Sequence, residues 1–466
     1  MTGRPRQCHW RAVAALVVAG LIMAAAACSS APPHPARTDA IVLPGTPAGR
    51  QASWLADAVH HLPVSAGEVT AHFDQAYLAH VPAPAAAALN ASWAGLRSLR
   101  LDAITASTPQ TIVFTITVND KARESVTLTV GARGLISLLH LQPAGATPTA
   151  TPTPTGSAAA GVRQIAVGVG SPPLKGTLTL PAGKGPFPAV VLVSGSGPNN
   201  QDESDGPNHP FLDIALGLAA RGIASIRYDK RTLDYPVSIN QQTFTLTQEY
   251  VPDALAAIRL LDRQPAIDPR RIFVLGHSQG GTYAPLIARE APQVAGVVML
   301  AAGAEPFATA LLRQVRYLTT LPGAIGANAR AELPYITQEA AEVASPAVLE
   351  KDPPGKILLG GAGPAYFLSG FAYNEVATAR AIPQPLLFLQ GDRDYQVTVA
   401  NDLDVWLDGL RGRAGVTVVQ FPDADHLFLD GSGPPTPLDY QKAGHVDPAV
   451  IATMASWIGR VDATTS

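Results

Sequence analysis

Residues 271–289 read RIFVLGHSQGGTYAPLIAR, a strand-like run that leads through a glycine-bounded serine into a helix-like run. The apolar residues 272–275 favour a buried strand, and the residues after the second glycine favour a helix. Ser278 then lies on a sharp turn from strand to helix. Such a turn needs small residues on both sides of the serine because larger side chains would clash, and it leaves the hydroxyl clear of the backbone. The stretch predicts an α/β fold in which Ser278 is a nucleophile.

Two later segments supply candidate partners for this serine. Residues 385–397, PLLFLQGDRDYQV, describe a buried strand that runs into an acidic turn, and residues 416–426, VTVVQFPDADH, describe a strand that ends in a histidine. A serine hydroxyl needs an imidazole to take its proton and a carboxylate to hold that imidazole in the right tautomer. The order Ser, Asp, His along the chain favours His426 as the base and Asp394 as the carboxylate. Asp392 is the alternative carboxylate, although it is also interpreted as a turn residue at the strand end.

A glycine-rich loop follows an earlier predicted strand, because residues 188–200 read PAVVLVSGSGPNN. Attack by a serine creates a negatively charged oxygen, which needs backbone N–H groups aimed at it. We expect one donor from Gln279, directly after the nucleophile, and the other from Ser196 in this loop. The alternative interpretation is a glycine-rich turn without a chemical role. His277 is expected to pack beside the nucleophile.

These segments together resemble bacterial α/β-hydrolases of the dienelactone-hydrolase and serine-aminopeptidase-like group. The resemblance rests on five stretches: SGSGP at 194–198, QDES at 201–204, RYDKRT at 227–232, GHSQG at 276–280 and LQGDRDYQV at 389–397. It covers about residues 162–462 and implies an α/β-hydrolase fold with a serine triad. Many relatives have His-Gly before the oxyanion residue, whereas this chain has Ser194-Gly195. The group includes esterases, thioesterases and peptidases, so the resemblance leaves the substrate open.

Residues 162–462 alternate strand-like and helix-like runs. This alternation predicts a mostly parallel sheet covered by helices on both faces. The first two strands, at 162–169 and 174–180, are expected to form an antiparallel hairpin at the edge of the sheet. The charged residues 229–231 are interpreted as a structural turn after a strand, or alternatively as part of the pocket floor.

A long insertion separates the strand that ends near residue 300 from the strand that begins at Leu386. It exceeds an ordinary crossover, whose loops are roughly 2–6 residues around one helix. We therefore predict a cap over the active site at about 304–380. Its apolar and aromatic residues form either a lining of the pocket or the core of the cap helices. These residues are Leu311, Leu312, Val315, Tyr317, Leu318, Tyr366, Phe367, Phe371 and Tyr373.

The start of the chain has the pattern of a signal peptide at 1–28. Three arginines precede an apolar run at 12–27, which is shorter than the about 20 residues of a membrane span. The run ends in AAAC at 25–28, which resembles a bacterial lipobox with Ala25 where leucine is usual. That resemblance implies lipidation of Cys28. The alternative is ordinary cleavage after an Ala-x-Ala pattern, which would give a secreted protein.

Two low-complexity segments flank a predicted front domain at 50–143. Residues 29–49, rich in Pro, Ala and Ser, favour a flexible tether, and the Pro/Thr-rich residues 144–161 favour an extended linker. A capping box at 65–68 begins a helix-like pattern with Val69, Phe73, Tyr77 and Leu78, and alternating strands follow. The pattern resembles the small α+β domains, cystatin-like or NTF2-like, that precede some bacterial lipoprotein hydrolases. We interpret this domain as a binding or spacing module.

Composition narrows the choice of cofactors and partners. The chain has only two cysteines, Cys8 and Cys28, and the first lies in the predicted leader, so no disulfide or thiol metal cluster is expected. The histidines lack a metal-like spacing with acidic partners. A formal net charge of −3 without a basic patch argues against nucleic acid as a partner. We expect no metal and no organic cofactor.

The expected protein is an extracytoplasmic serine hydrolase, anchored by lipid to the cell membrane. The cap is partly aromatic and has no cluster of acids, which favours a small uncharged acyl ester over an amine-bearing peptide end. The reaction would pass through an acyl-enzyme on Ser278. One alternative is an aminopeptidase or acyl-peptidase with the same triad. Another is a binding lipoprotein with an inactive hydrolase domain, against which the complete set of triad and oxyanion residues argues.

Overall fold

The computed structural model describes ten ranges of the chain, and the chain divides into two compact units, Met1–Pro148 and Thr149–Ser466. The described ranges are 41–73, 98–107, 109–118, 122–131, 133–143, 161–235, 239–240, 243–352, 358–359 and 362–461. The predicted leader with Cys28, most of the tether at 29–49 and nearly all of the linker at 144–161 lie outside these ranges. So do Tyr77 and Leu78 of the predicted helix pattern.

The first unit has helices followed by a four-stranded antiparallel sheet. Its described helices and strands are α1 Pro47–Ala58, α2 Ala66–His72, β1 Leu99–Ser107, β2 Thr111–Val118, β3 Ala122–Val130 and β4 Ile136–Pro143, with the strands in the order β1-β2-β3-β4. The predicted capping box is confirmed, because Ser65 Oγ accepts from the Glu68 N–H and Glu68 Oε2 accepts from the Ser65 N–H. Helix α1 begins three residues before the boundary predicted for the front domain.

The sheet of the first unit buries one face against its helices. Alternate residues of β2 are buried, as the sequence pattern predicts, and so are alternate residues of β3. The buried set consists of Ile112, Phe114, Ile116, Val126, Leu128 and Val130, which pack with Ala52 and Leu55 of α1 and with Val69 and Phe73. Because side chains alternate across a strand, a period of two places these apolar residues on one face.

The second unit alternates strands and helices along the chain. Its strands are β5 Arg163–Val169, β6 Leu174–Leu180, β7 Phe187–Val193, β8 Ala224–Tyr228, β9 Ile267–His277, β10 Gly296–Leu300, β11 Leu386–Gly391 and β12 Val416–Phe421. Its described helices are α3 Pro210–Ala219, α4 Arg231–Asp234, α5 Leu246–Asp262, α6 Gln279–Glu290, α7 Phe307–Thr320, α8 Gly323–Val343, α9 Pro346–Leu349, α10 Pro364–Phe371, α11 Glu375–Ala381, α12 Asp404–Gly409 and α13 Pro448–Arg460.

The eight strands form one sheet in the order β12-β11-β10-β9-β7-β8-β6-β5. The six strands from β12 to β8 are parallel, and β6 and β5 run antiparallel to their neighbours. The predicted mostly parallel sheet and its edge hairpin are both confirmed. Since the parallel strands end at the same edge, the loops after β7, β9, β11 and β12 meet there.

The core of the second unit lies on both faces of this sheet. Along β7, Val191 and Val193 pack with α5 and α6 on one face, whereas Val190 and Leu192 pack with α3 and α13 on the other. Strands buried on both faces read as continuous apolar runs, which explains the sequence of this strand.

The described part of the insertion between β10 and β11 contains the five helices α7 to α11, at the position predicted for a cap. Val315, Leu318 and Phe367 are buried, as expected for the core of the cap helices. Phe371 is 53% exposed, so it belongs neither to that core nor to a pocket lining. None of the helices in the described part of the chain is both long enough and apolar enough to cross a membrane.

Candidate active site

Ser278 lies between β9 and α6 in a conformation that few residues adopt. Its φ is +51° and its ψ is −123°, and its N–H donates to the carbonyl oxygen of Leu300. A Cβ added at Gly276 would overlap the carbonyl of Gly280, and a Cβ added at Gly280 would overlap the carbonyl of Val193. The two glycines are therefore required by close backbone contacts, and the strained turn leaves Ser278 half-buried at the strand end.

His426 and Asp394 form a buried pair beyond the ends of β12 and β11. Nδ1 of His426 lies 2.6 Å from Oδ2 of Asp394. The other carboxylate oxygen, Oδ1, accepts from the N–H groups of Gln396 and Val397 at 2.7 and 2.9 Å. With its two oxygens held in this way, the carboxylate fixes a proton on Nδ1 and leaves Nε2 as a proton acceptor.

The structure brings Asp394, and not Asp392, to the histidine. Asp392 is exposed, and its N–H donates to the carbonyl oxygen of Phe421. Ser278 Oγ and His426 form no direct hydrogen bond among the described residues, and such bonds often tighten only around substrate. His426 nevertheless adjoins the turn that carries Ser278, because its ring centroid lies 4.7 Å from that of His277.

A second pair of a histidine and a carboxylate lies under the turn. Glu203 has a φ of +50° and is buried, and its Oε1 accepts from Nδ1 of His277 at 2.9 Å and from the Gly195 N–H at 2.5 Å. Nε2 of His277 donates to the carbonyl oxygen of His426 at 2.9 Å. Burial lowers the pKa of His277, but the Glu203 carboxylate outweighs that effect, so the pKa is raised above its ordinary value.

The loop after β7 lies against Ser278. A Cβ added at Gly195 would lie 3.0 Å from the Cβ of Ser278. The Gly195 carbonyl oxygen points into the protein, where Lys230 Nζ, Tyr250 Oη and Asn199 Nδ2 surround it at 2.8, 3.1 and 3.1 Å. Within the described residues, no hydrogen bond occupies the backbone N–H of Ser196 or that of Gln279. Neither predicted oxyanion donor is therefore occupied by another described residue.

Lys230 lies at the centre of a buried cluster beneath this loop. Its Nζ is 2.7 Å from Oε1 of Glu249 and 3.0 Å from the Tyr250 hydroxyl. The Tyr250 hydroxyl in turn lies 2.8 Å from Oε1 of Gln279. Burial lowers the pKa of the Lys230 ammonium, and the Glu249 carboxylate opposes that shift. Burial, reinforced by Glu249, raises the pKa of Tyr250 well above its ordinary value, so the phenol keeps its proton.

The flanking residues of the same stretch behave as the predicted structural turn. Asp229 accepts from the Gln201 N–H at 2.6 Å, and Arg231 pairs with the buried Asp253 on α5. Lys230 differs from both because its ammonium faces the glycine-rich loop. The alternative interpretation, a part in the pocket, therefore fits Lys230, and the structural turn fits its neighbours.

Comparison with known proteins identifies the second unit. A profile described as Alpha/beta hydrolase family matches residues 190–436, which is more than half of the chain. The chain belongs to the alpha/beta hydrolase family. The predicted α/β-hydrolase fold is confirmed by this match together with the strand order. A second profile, described as ORF 12 gene product N-terminal, matches residues 43–136, and the NTF2-like resemblance of the front domain stays a prediction.

This α/β-hydrolase is 39% identical over 285 residues to Esterase EstD of Thermotoga maritima. The match covers 61% of the chain and 65% of that relative, so the chain spans just under two thirds of the relative's length. A solved esterase of Pyrococcus furiosus is 16% identical, with a TM-score of 0.41, over 64% of this chain and 91% of that one. A Pyrococcus horikoshii acylaminoacyl peptidase is 13% identical, with a TM-score of 0.43, over 78% and 50% respectively. These two structural likenesses are too distant to inform function.

The cap of this α/β-hydrolase contacts both halves of the site. On α10, the Tyr366 hydroxyl donates to Oε2 of Glu249 at 2.5 Å and lies 3.5 Å from Oε1 of Gln279. On α7, Arg313 donates to the carbonyl oxygens of Tyr395 and Gln396, both at 3.0 Å. The cap is thus joined to Glu249 and Gln279 on one side and to the loop that carries Asp394 on the other.

Two further acids adjoin His426 in this α/β-hydrolase. Asp425 is buried, its Oδ1 accepts from the N–H groups of Leu427 and Leu429, and burial raises its pKa to about 6. Burial also raises the pKa of Asp205 to about 6. Among the described residues, no group of three or more His, Cys, Asp or Glu side chains could hold a metal ion.

Several residues of this site in the α/β-hydrolase were not expected from the sequence. Glu203 lies in the QDES stretch of the family resemblance, which is the one signal that could have found it. Glu249, Tyr250 and Arg313 lie within ordinary helical patterns on α5 and α7, and their contacts are with residues far away in the chain. The spacing of residues within one helix predicts which face is buried, but it does not predict contacts with residues far away in the chain.

Proposed function

We propose that this chain is a serine hydrolase of carboxylic esters. The observation that carries the proposal is the placement of Ser278 on a strained turn near the buried His426–Asp394 pair, while the N–H groups of Ser196 and Gln279 make no hydrogen bond to another described residue. The similarity to a relative named as an esterase supports the same reaction class. These parts are the ones that acyl transfer through a serine needs.

The reaction begins with attack of Ser278 Oγ on the ester carbonyl carbon. Nε2 of His426 takes the hydroxyl proton, and Asp394 stabilises the imidazolium through Nδ1–H. The carbonyl oxygen becomes negatively charged and accepts from the N–H groups of Ser196 and Gln279. The tetrahedral intermediate collapses when the C–O bond of the leaving alcohol breaks and His426 returns the proton to it. Water then attacks the acyl-enzyme with His426 as base, and the carboxylic acid leaves Ser278.

The substrate we propose is an ester with a small uncharged acyl group. The two acids through which the cap adjoins the site are each paired with a cation, Glu249 with Lys230 and Glu305 with Arg313, both at 2.7 Å. A carboxylate that already forms an ion pair with a protein cation binds a substrate amine poorly. The half-buried ring of Tyr366 on α10 supplies uncharged surface.

The deciding experiment uses the full chain in detergent with p-nitrophenyl esters of increasing acyl length and with aminoacyl anilides. Ester turnover is expected, and Ser278→Ala should lower it by at least on the order of a thousandfold. Ser456→Ala, at an exposed serine on α13, is the matched control and should leave it unchanged. Turnover of anilides in preference to esters would replace the proposal with the aminopeptidase alternative. A folded chain that is silent on both would support a binding lipoprotein.

We further propose that the protein is exported and held at the outer side of the cell membrane by a lipid on Cys28. The support is the arginine-led apolar run that ends in AAAC at 25–28. Metabolic labelling with a tagged fatty acid tests this: label on the full chain and none on Cys28→Ala is the expected result. Unlabelled protein in the culture medium would instead support ordinary cleavage and secretion.

A further inference from the structure

The hydrogen bonds around Lys230 can be assigned from the number of protons available. The ammonium has three N–H groups, and three acceptors surround it: Glu249 Oε1 at 2.7 Å, the Gly195 carbonyl oxygen at 2.8 Å and the Tyr250 hydroxyl at 3.0 Å. Each N–H therefore has one acceptor. The Lys230 side chain is buried, so no contact with bulk water competes with these three.

The Tyr250 hydroxyl has a single proton and two possible acceptors. Gln279 Oε1 lies at 2.8 Å and the Gly195 carbonyl oxygen at 3.1 Å. When the hydroxyl donates to Gln279, the nearer of the two, the Gly195 carbonyl depends on Lys230 and on Asn199. Of these, Lys230 is the closer and the charged donor, and charge-assisted hydrogen bonds are the stronger kind.

The orientation of that carbonyl fixes the orientation of an oxyanion donor. A peptide unit is planar and trans, so the carbonyl of Gly195 and the N–H of Ser196 point in opposite directions. With the carbonyl held towards Lys230, the N–H of Ser196 points away from Lys230. Gly195 itself adjoins Ser278, as the 3.0 Å approach of an added Cβ to the Ser278 Cβ shows.

We infer that Lys230 is a positioning residue for the oxyanion hole: its ammonium holds the Gly195–Ser196 peptide so that the Ser196 N–H faces the oxyanion formed at Ser278. The inference rests on the proposed esterase function and deepens it. Lys230 touches no reacting atom. It acts through the peptide it orients, and through Tyr250 it also contacts the side chain of Gln279, the other donor residue.

The cap shares this cluster through Glu249. Oε1 of that carboxylate faces Lys230, and Oε2 accepts from the Tyr366 hydroxyl on α10. Because Glu249 offsets the charge of the buried ammonium, removing Lys230 alone would leave an unpaired buried carboxylate and could unfold the chain. The test therefore changes both residues and keeps an acceptor for Tyr366.

The test compares Lys230→Met/Glu249→Gln with Lys230→Gln/Glu249→Gln in the full chain. The two double variants are neutral at both sites, and of the two side chains at position 230 only that of Gln can donate a hydrogen bond. For the Met variant we expect kcat to fall on the order of a hundredfold, with KM within about twofold of the wild-type value, because only transition-state binding is lost. The Gln variant should regain part of kcat.

An aryl trifluoromethyl ketone, which forms a hemiketal oxyanion on Ser278, supplies the second readout. Its inhibition constant should rise in the Met variant by about the factor lost in kcat/KM. Equal kcat in both folded double variants, or an unchanged inhibition constant, would overturn the inference while leaving the esterase proposal standing. A wild-type chain without ester turnover overturns both. Should the Met variant not fold, Lys230→Leu/Glu249→Gln replaces it, because leucine also lacks a donor. The same fall in kcat with KM retained is expected, and a kcat equal to that of the Gln variant would overturn the inference.

Discussion

Nε2 of His277 donates a hydrogen bond to the backbone carbonyl oxygen of His426, 2.9 Å away. A carbonyl oxygen can only accept, so Nε2 carries a proton. The other ring nitrogen faces Oε1 of Glu203 at 2.9 Å. The residue just before the nucleophile thus holds the backbone of the candidate base, in addition to the hydrogen bond that Asp394 makes to the base's side chain.

Glu203→Gln should change how stability depends on pH. The folded pKa of His277 is raised above the unfolded value of 6.5, with Glu203, Asp394 and the His426 carbonyl as the groups that favour its charged form. The contribution of the His277–Glu203 pair to stability is then fully present below pH 6.5, and it is lost as the pH rises through the folded pKa of His277. Urea unfolding between about pH 5.5 and pH 9 measures the free energy of unfolding of the wild type and of the variant. We expect the difference between these two free energies to become smaller as the pH rises. Glu290→Gln, at an exposed carboxylate, is the control, and a difference independent of pH would contradict the prediction.

Asp394→Asn and Asp392→Asn separate the two candidate carboxylates. The amide at 394 can donate to Nδ1 and so stabilise the tautomer in which Nε2 is protonated and unable to act as a base. We expect kcat to fall on the order of a thousand- to ten-thousandfold, as for the loss of a triad carboxylate elsewhere. The exposed Asp392 should tolerate the same change with near wild-type kcat. Similar losses in both variants would show that His426 is not held in the way described.

Gly195→Ala tests the close approach of the glycine-rich loop to the nucleophile. The new Cβ would meet the Ser278 Cβ at 3.0 Å and Glu203 Oε1 at 3.2 Å, so the loop must move away from the turn. We expect a loss of kcat on the order of a hundredfold, from misplacement of the Ser196 N–H. Gly459→Ala, on α13 where an added Cβ meets nothing within 4 Å, should keep full activity and gain about 0.5–1 kcal/mol of stability. Wild-type kcat in Gly195→Ala would show that the loop tolerates the shift.

Arg313→Met tests the junction between the cap and the loop that carries Asp394. It removes two hydrogen bonds to the carbonyls of Tyr395 and Gln396 and leaves Glu305 and the buried Asp402 without their cation. We expect a lower Tm and a ten- to hundredfold fall in kcat/KM, on the order that a misplaced catalytic group costs. Arg316→Met, at an exposed position of the same helix, should alter neither. An unchanged kcat/KM would show that Asp394 is held without help from the cap.

The sequence predicted the elements of the fold well because their causes are local. The capping box at Ser65, the edge hairpin of β5 and β6 and the strand-to-helix turn at Ser278 each depend on residues within a few positions of one another. The order of Ser278, Asp394 and His426 along the chain added the long-range part, because parallel strands end at one edge of the sheet.

The cluster beneath the oxyanion loop could not be predicted in the same way. Lys230 follows β8, Glu249 and Tyr250 lie on α5, and Tyr366 lies in the cap, so their meeting depends on how three elements pack. Each residue taken alone has an ordinary explanation in its own segment. Only the distances show that a charged residue of a turn faces the carbonyl of Gly195.

The buried Lys230–Glu249 pair has a consequence for directed evolution of this protein. Replacing a buried ion pair by well-packed apolar residues often stabilises a protein, by about 1–4 kcal/mol. Variants selected only for survival at high temperature should therefore acquire apolar residues at 230 and 249 and keep the fold while losing turnover. At these two positions the substitutions that raise thermal stability are expected to lower turnover. A screen for thermostable variants therefore has to assay turnover in the same round.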